Sequence, residues 1–133
     1  MAEIPSLRMY KNSWFAKFAR KERISDSALC DAIDRATRGL IDADLGGGLI
    51  KQRVAREGAG KSGGYRTLIF FRAGERSIFV FGFAKSDKAN LDADELTEFK
   101  KAAKELLQFS QKQMDALVEI GRLMEVKRGE EDL

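Results

Sequence analysis

Histidine is absent from the 133 residues, and cysteine and proline occur once each. Without histidine there is no Ser-His-Asp or Cys-His catalytic arrangement. One cysteine cannot form an internal disulfide, and with no histidine beside it a zinc site is not expected. Cys30 adjoins Leu29 on a helical pattern and is expected as a small core residue. Long apolar runs are also lacking. No stretch approaches the roughly 20 residues that a membrane-spanning helix needs, and Met1–Pro5 lacks the basic and apolar regions of a signal peptide. The expectation is a cytoplasmic chain with neither metal nor small-molecule cofactor. Any acid or base must come from Lys, Arg, Tyr, Asp or Glu.

What is present is positive charge, unevenly spread. The net charge is +3. Residues 51–88 hold nine basic and three acidic side chains, whereas 89–133 hold seven basic and eleven acidic. The middle third is also the expected sheet. A basic face on a small sheet suits a polyanion, although a solvated surface balanced by the acidic C-terminal third accounts equally well for the counts.

The most informative stretch is Gly60-Lys-Ser-Gly-Gly-Tyr-Arg66, running at once into Thr67-Leu-Ile-Phe-Phe71. It is expected as a basic glycine loop feeding a strand, with Lys61 and Arg66 at the sheet rim. Residues Ala55–Ser62 fit the relaxed pattern of a nucleotide-binding P-loop. A P-loop leads into a helix whose N-terminus faces the phosphates. Gly63 and Gly64 discourage a helix here, and the residues beyond them favour strand. The P-loop reading is rejected.

Around this stretch, Leu7–Tyr10 reads as a short strand. Asn12 or Ser13 caps a helix through Trp14, Phe15 and Phe18, and Ser25 caps a second ending near Gly39. These two form an expected helical hairpin. Gly46–Gly48 turns into a strand, Leu49–Val54, with Lys51 and Arg53 on one face and Ile50, Gln52 and Val54 on the other. Ala73-Gly-Glu75 is a hairpin turn into the apolar strand Ser77–Phe83, in which Gly82 marks a bulge or a close approach. Asp92 and Glu95 have capping-box spacing at a third helix, and a helical pattern resumes from Gln113 through Leu123. The expected class is α+β: a small antiparallel sheet of three to four strands with an N-terminal helical hairpin and a C-terminal helix, the helices on one face.

This layout, with Gly60–Arg66, Phe79-Val-Phe-Gly-Phe-Ala-Lys85, Asp44–Val54 and Asn90–Leu96, resembles the RelE/ParE superfamily of bacterial toxins from about Met9 to Leu107. Within it the HigB-like, phage-associated branch is the most similar. The resemblance implies one RelE-like domain over 1–133, with 108–133 as a helical extension and polar tail. It implies a toxin held by a helix-turn-helix antitoxin, and a metal-independent endoribonuclease that cuts translated mRNA on the ribosome. It assigns Arg66 to transition-state stabilisation and matches Lys51, Arg53, Lys61 and Lys85 to the family's other catalytic basic positions, with Lys51 or Lys61 as base. Arg56, Ser62, Tyr65 and Lys88 are the expected RNA contacts. The relatives place a tyrosine shortly after the last strand. Ser86–Leu91 contains none, and Tyr10 and Tyr65 stand elsewhere, so the general acid is unassigned. Two other readings remain open at this level: a non-enzymatic, ParE-like inhibitor of gyrase, and an inert homologue that only binds its antitoxin.

Overall fold

Asn12 ends one strand and starts one helix. Its side-chain oxygen accepts from the Phe15 amide at 2.8 Å, the N-cap bond that a helix start requires. It thereby joins β1 (Arg8–Asn12) to α1 (Ser13–Glu22) with no loop between. Arg23 closes α1 in the left-handed region, at φ 59°. Ser25 then caps α2 (Asp26–Thr37) by accepting from the Ala28 amide. The computed structural model describes residues 8–56, 60–84 and 91–128, with the backbone alone at 60–63.

After α2 come β2 (Ala43–Gly46), β3 (Leu49–Arg56), β4 (Gly60–Arg72), β5 (Arg76–Ala84), α3 (Ala93–Gln108), α4 (Gln111–Glu119) and β6 (Leu123–Glu125). The six strands form one sheet in the order β2-β3-β4-β5-β1-β6. The α+β class holds, but the sheet is larger than expected and mixed. β1 runs parallel to β5, and all the other pairings are antiparallel. β2 and β6 are the strands that the sequence did not announce. Each is four residues or fewer, too short for a visible alternation. Leu123, expected to continue a helix, instead pairs with Asn12.

The helices cover both faces of the sheet, not one. On one face α1 and α2 bury Phe15, Leu29 and Ile33 against Ile50, Val54, Tyr65, Ile69 and Phe79. On the other, α3 and α4 bury Ala103, Leu107 and Met114 against Leu49, Leu68, Phe70, Ile78 and Val80. This explains the unbroken run Leu68–Phe70: a strand covered on both sides has no solvent face to alternate with. Each fully buried Phe or Leu contributes about 1.5–3 kcal/mol. α1 packs chiefly on β5 and β1, and α2 on β3, so the expected helical hairpin is two helices docked separately on the sheet.

Two details fix the sheet where the basic residues lie. Gln52 is fully buried and satisfied: its Nε2 donates to the carbonyls of Ala32 and Leu40, each at 3.0 Å, and its Oε1 accepts from the Asp42 amide at 2.9 Å. It ties α2 to β3. In β5 the register shifts, so that Leu68 faces Phe81 while Ile69 faces Phe79. The extra residue, Val80, is a bulge, and it turns the following alternate residues to the other face.

Candidate functional site

The Gly60–Arg66 stretch is strand throughout, as the first half of β4, rather than a loop. No helix follows it, which agrees with rejecting a P-loop. Gly64 is needed for packing, since a Cβ there would collide with the Val54 carbonyl oxygen.

The β3–β4 register sets Arg53 opposite Arg66 and Lys51 opposite Leu68. Leu49 and Leu68 belong to the core beneath α3, so alternation places Lys51, Arg53 and Arg66 on that face. Across β4, Arg66 faces Phe83 and Leu68 faces Phe81. The Val80 bulge is what brings Phe81 and Phe83 to this side. The result is a row of Arg53, Arg66 and Phe83 beside a second row of Lys51, Leu68 and Phe81.

The charges in this group are treated differently. Arg53 is neutralised: its Nη2 lies 3.4 Å from Asp42 Oδ1, and its amide donates to Asp42 Oδ2 at 2.6 Å. Arg35 also donates to the Arg53 carbonyl at 2.6 Å. Arg66 has no carboxylate among the described residues, and its Nη1 is buried with no hydrogen-bond partner. Lys51, half-buried, has no ion pair among them either. A buried, unpartnered guanidinium nitrogen is costly, by about 1–3 kcal/mol or more for a charged group. An anion at this nitrogen would supply the missing acceptor.

The other expected positions fall elsewhere. Tyr65 is 1% exposed and lies on the α1–α2 face. Its ring meets Phe18 edge-on, and its hydroxyl donates to Glu22 Oε1 at 3.0 Å. Burial first, and then the Glu22 carboxylate, hold the phenol above its ordinary pKa. Arg56 is on the same side, its guanidinium 5.9 Å from the centre of the Tyr65 ring. Lys61 and Ser62 lie in β4, with side chains outside the described set; Lys85 and Lys88 fall wholly outside the described residues. Among the described residues, no group of three or more Cys, Asp or Glu is arranged to hold a metal, and no helix is long and apolar enough to cross a membrane.

Sequence reasoning did not find Asp42, which distinguishes Arg53 from Arg66. An aspartate just before an unannounced edge strand gives no signal. Phe81 and Phe83 belong to the apolar strand Ser77–Phe83, and only the register shift shows them flanking the basic group.

A search of curated proteins finds no match. The model of one family matches residues 7–126, and its description is the RelE toxin of the RelE/RelB toxin–antitoxin system. Such toxins act in a pair with an antitoxin, and the match spans every described strand and helix. The chain belongs to the RelE toxin family.

Proposed function

We propose that this toxin is a metal-independent endoribonuclease that cleaves translated mRNA on the ribosome, and that the Lys51–Arg53–Arg66 face holds the scissile phosphate. The observation that carries this reading is Arg66. Its Nη1 is buried without a hydrogen-bond partner, and of the facing pair Arg53 and Arg66, only Arg53 has a counter-ion among the described residues. An oxyanion in front of Arg66 supplies the missing acceptor.

The chemistry fits a side chain of this kind. The 2′-oxygen of one nucleotide attacks the adjacent phosphorus, and the bond from phosphorus to the 5′-oxygen breaks. A base takes the 2′-proton, and the leaving oxygen takes up a proton. The products are a 2′,3′-cyclic phosphate and a free 5′-hydroxyl. Negative charge grows on the phosphorane, and a fixed guanidinium stabilises it more than the ground state. Lys51 and Lys61 are the candidate bases. Lys85 is a further cation for the leaving side, and Ser62 and Lys88 are RNA contacts. The antitoxin is read as a helix-turn-helix protein, the branch as HigB-like, and the site of action as the cytoplasm.

The test is cleavage of a defined mRNA on purified translating ribosomes. Wild type yields fragments ending in cyclic phosphate and 5′-hydroxyl. Arg66→Ala slows cleavage by about 10²–10³-fold, the cost of one transition-state donor. An Arg66→Ala protein that cuts at the wild-type rate rejects the site. A folded wild type that leaves mRNA whole on every ribosome complex rejects the activity.

A further inference from the structure

A second basic feature lies on the sheet face that carries Lys51 and Arg66. A cleft of about 480 Å³ opens between α3 and the Gly47–Gly48 turn. Arg72, Lys100, Lys101 and Lys104 stand around it, Leu107 contributes to its apolar lining, and among the described residues that line it none is acidic. The cleft is built by close packing. A Cβ on Gly48 would lie 2.6 Å from Leu107 Cδ1, and one on Gly47 would touch the Lys100 stem at 3.6 Å. Both glycines also have positive φ, 66° and 87°, so the turn accepts side chains poorly.

The four cations are weakly compensated. Arg72 meets Glu75 at 3.8 Å, and Lys101 meets Glu98 at 3.7 Å, both pairs being well exposed and worth little. Lys100 and Lys104 have no ion pair among the described residues, although α3 carries four acidic residues of its own. One turn apart, these lysines share a side of the helix. Like charges gathered around one cleft with no carboxylate in it favour an anion there.

We propose that this cleft is a second RNA subsite, in which Lys100 and Lys104 grip backbone phosphates of the strand whose scissile phosphate lies at Arg66. The inference rests on the ribonuclease reading above. Continuity selects RNA over an acidic protein segment. Gly48 lies five residues from Arg53, the residue opposite Arg66, about 16 Å at strand spacing. α3 covers Leu49 and Leu68 on the face between them, so one extended strand of RNA a few nucleotides long would join the two by passing beside α3. The apolar lining accepts a base or ribose, and the lysines take the phosphates, the combination that single-strand binders use.

The probe is a labelled, 2′-O-methylated single-stranded oligoribonucleotide, which binds without being cut. Its affinity is measured against salt for wild type, Lys100→Ala/Lys104→Ala, and a charge-matched control, Lys17→Ala/Lys112→Ala. Each phosphate contact contributes about 0.7 to the slope of log affinity against log salt. The cleft variant therefore loses about 1.4 from the slope, and Lys100→Arg/Lys104→Arg restores it. On ribosome-bound mRNA, the cleft variant raises KM and leaves kcat unchanged. A folded cleft variant with the wild-type slope and affinity overturns the subsite while mRNA cleavage stands. A cleft variant that loses antitoxin binding but keeps the RNA slope makes the cleft a protein-docking site and also overturns it. A wild type that cuts no mRNA, yet loses slope on the cleft substitutions, supports the subsite and rejects the ribonuclease.

Discussion

Arg53 and Arg66 stand directly opposite each other on β3 and β4, and among the described residues only Arg53 has a carboxylate, Asp42, against it. Like charges opposite one another in a sheet are unfavourable. The pair is retained with one member set against a carboxylate and the other, among the described residues, without one. On the proposed reading this asymmetry separates a structural arginine from one available to a ligand, and it leads to opposite expectations for the two sides of the pair.

Removing the Arg66 charge is expected to harm activity and not stability. Arg66→Met keeps an apolar stem and deletes an unpartnered buried donor, which is neutral or stabilising by up to about 1 kcal/mol. The proposed ribonuclease activity is expected to fall by about 10²-fold or more. Chemical denaturation beside a cleavage assay checks both; a loss of several kcal/mol contradicts the placement.

Asp42→Ala has the reverse profile. It deletes the acceptor for the Arg53 amide and leaves two arginines facing each other without compensation. Stability drops by about 1–2 kcal/mol, read as a lower denaturant midpoint with unchanged m. Restoration of most of that stability in Asp42→Ala/Arg53→Leu would show that charge repulsion is a large part of the loss.

Gln52→Leu is expected to weaken the junction of α2 and β3. It removes the partner of the Leu40 carbonyl and of the Asp42 amide, both on exposed residues, and the side-chain bond to the helical Ala32 carbonyl. Groups that water or the helix still satisfies cost less than orphaned ones, so a loss of about 1–3 kcal/mol is expected, measured by urea unfolding. A loss under about 1 kcal/mol would contradict the clamp.

Tyr65 gives the fold a pH dependence at the alkaline end. Its pKa is raised in the folded protein above the ordinary 10.0. Between the two values the folded state binds more protons than the unfolded, so stability falls as pH rises. The contribution is complete below about pH 10 and is lost as pH climbs through the folded pKa. Thermal melts from pH 9 to 11 should show a steeper decline for wild type than for Tyr65→Phe. Parallel curves would contradict the assignment.

Much of the fold is legible in the residues. Asn12, Ser25 and Asp92 announce helix starts because capping is a local bond between a side chain and an amide three residues on. Gln52 was placed on the correct face because alternation by two is geometric. β2 and β6 escaped because such short strands are made by their partners rather than by their own pattern. The covered second face was visible only as the unbroken apolar run Leu68–Phe70. The candidate site was half-legible. Lys51, Arg53 and Arg66 fall on one face, whereas Tyr65 and Arg56, close in sequence, lie on the far face. Counting by twos past Val80 assigns Phe81 and Phe83 to the wrong side. A bulge is a property of two strands together, and neither sequence segment declares it alone.

The most direct test of the central claim is mapping of mRNA ends by primer extension in bacteria, after brief induction of wild type or Arg66→Ala. The account predicts new ends inside translated codons with wild type, and none with Arg66→Ala at equal protein level. Intact transcripts in wild-type cells that have stopped growing would contradict it and turn attention to gyrase as the target.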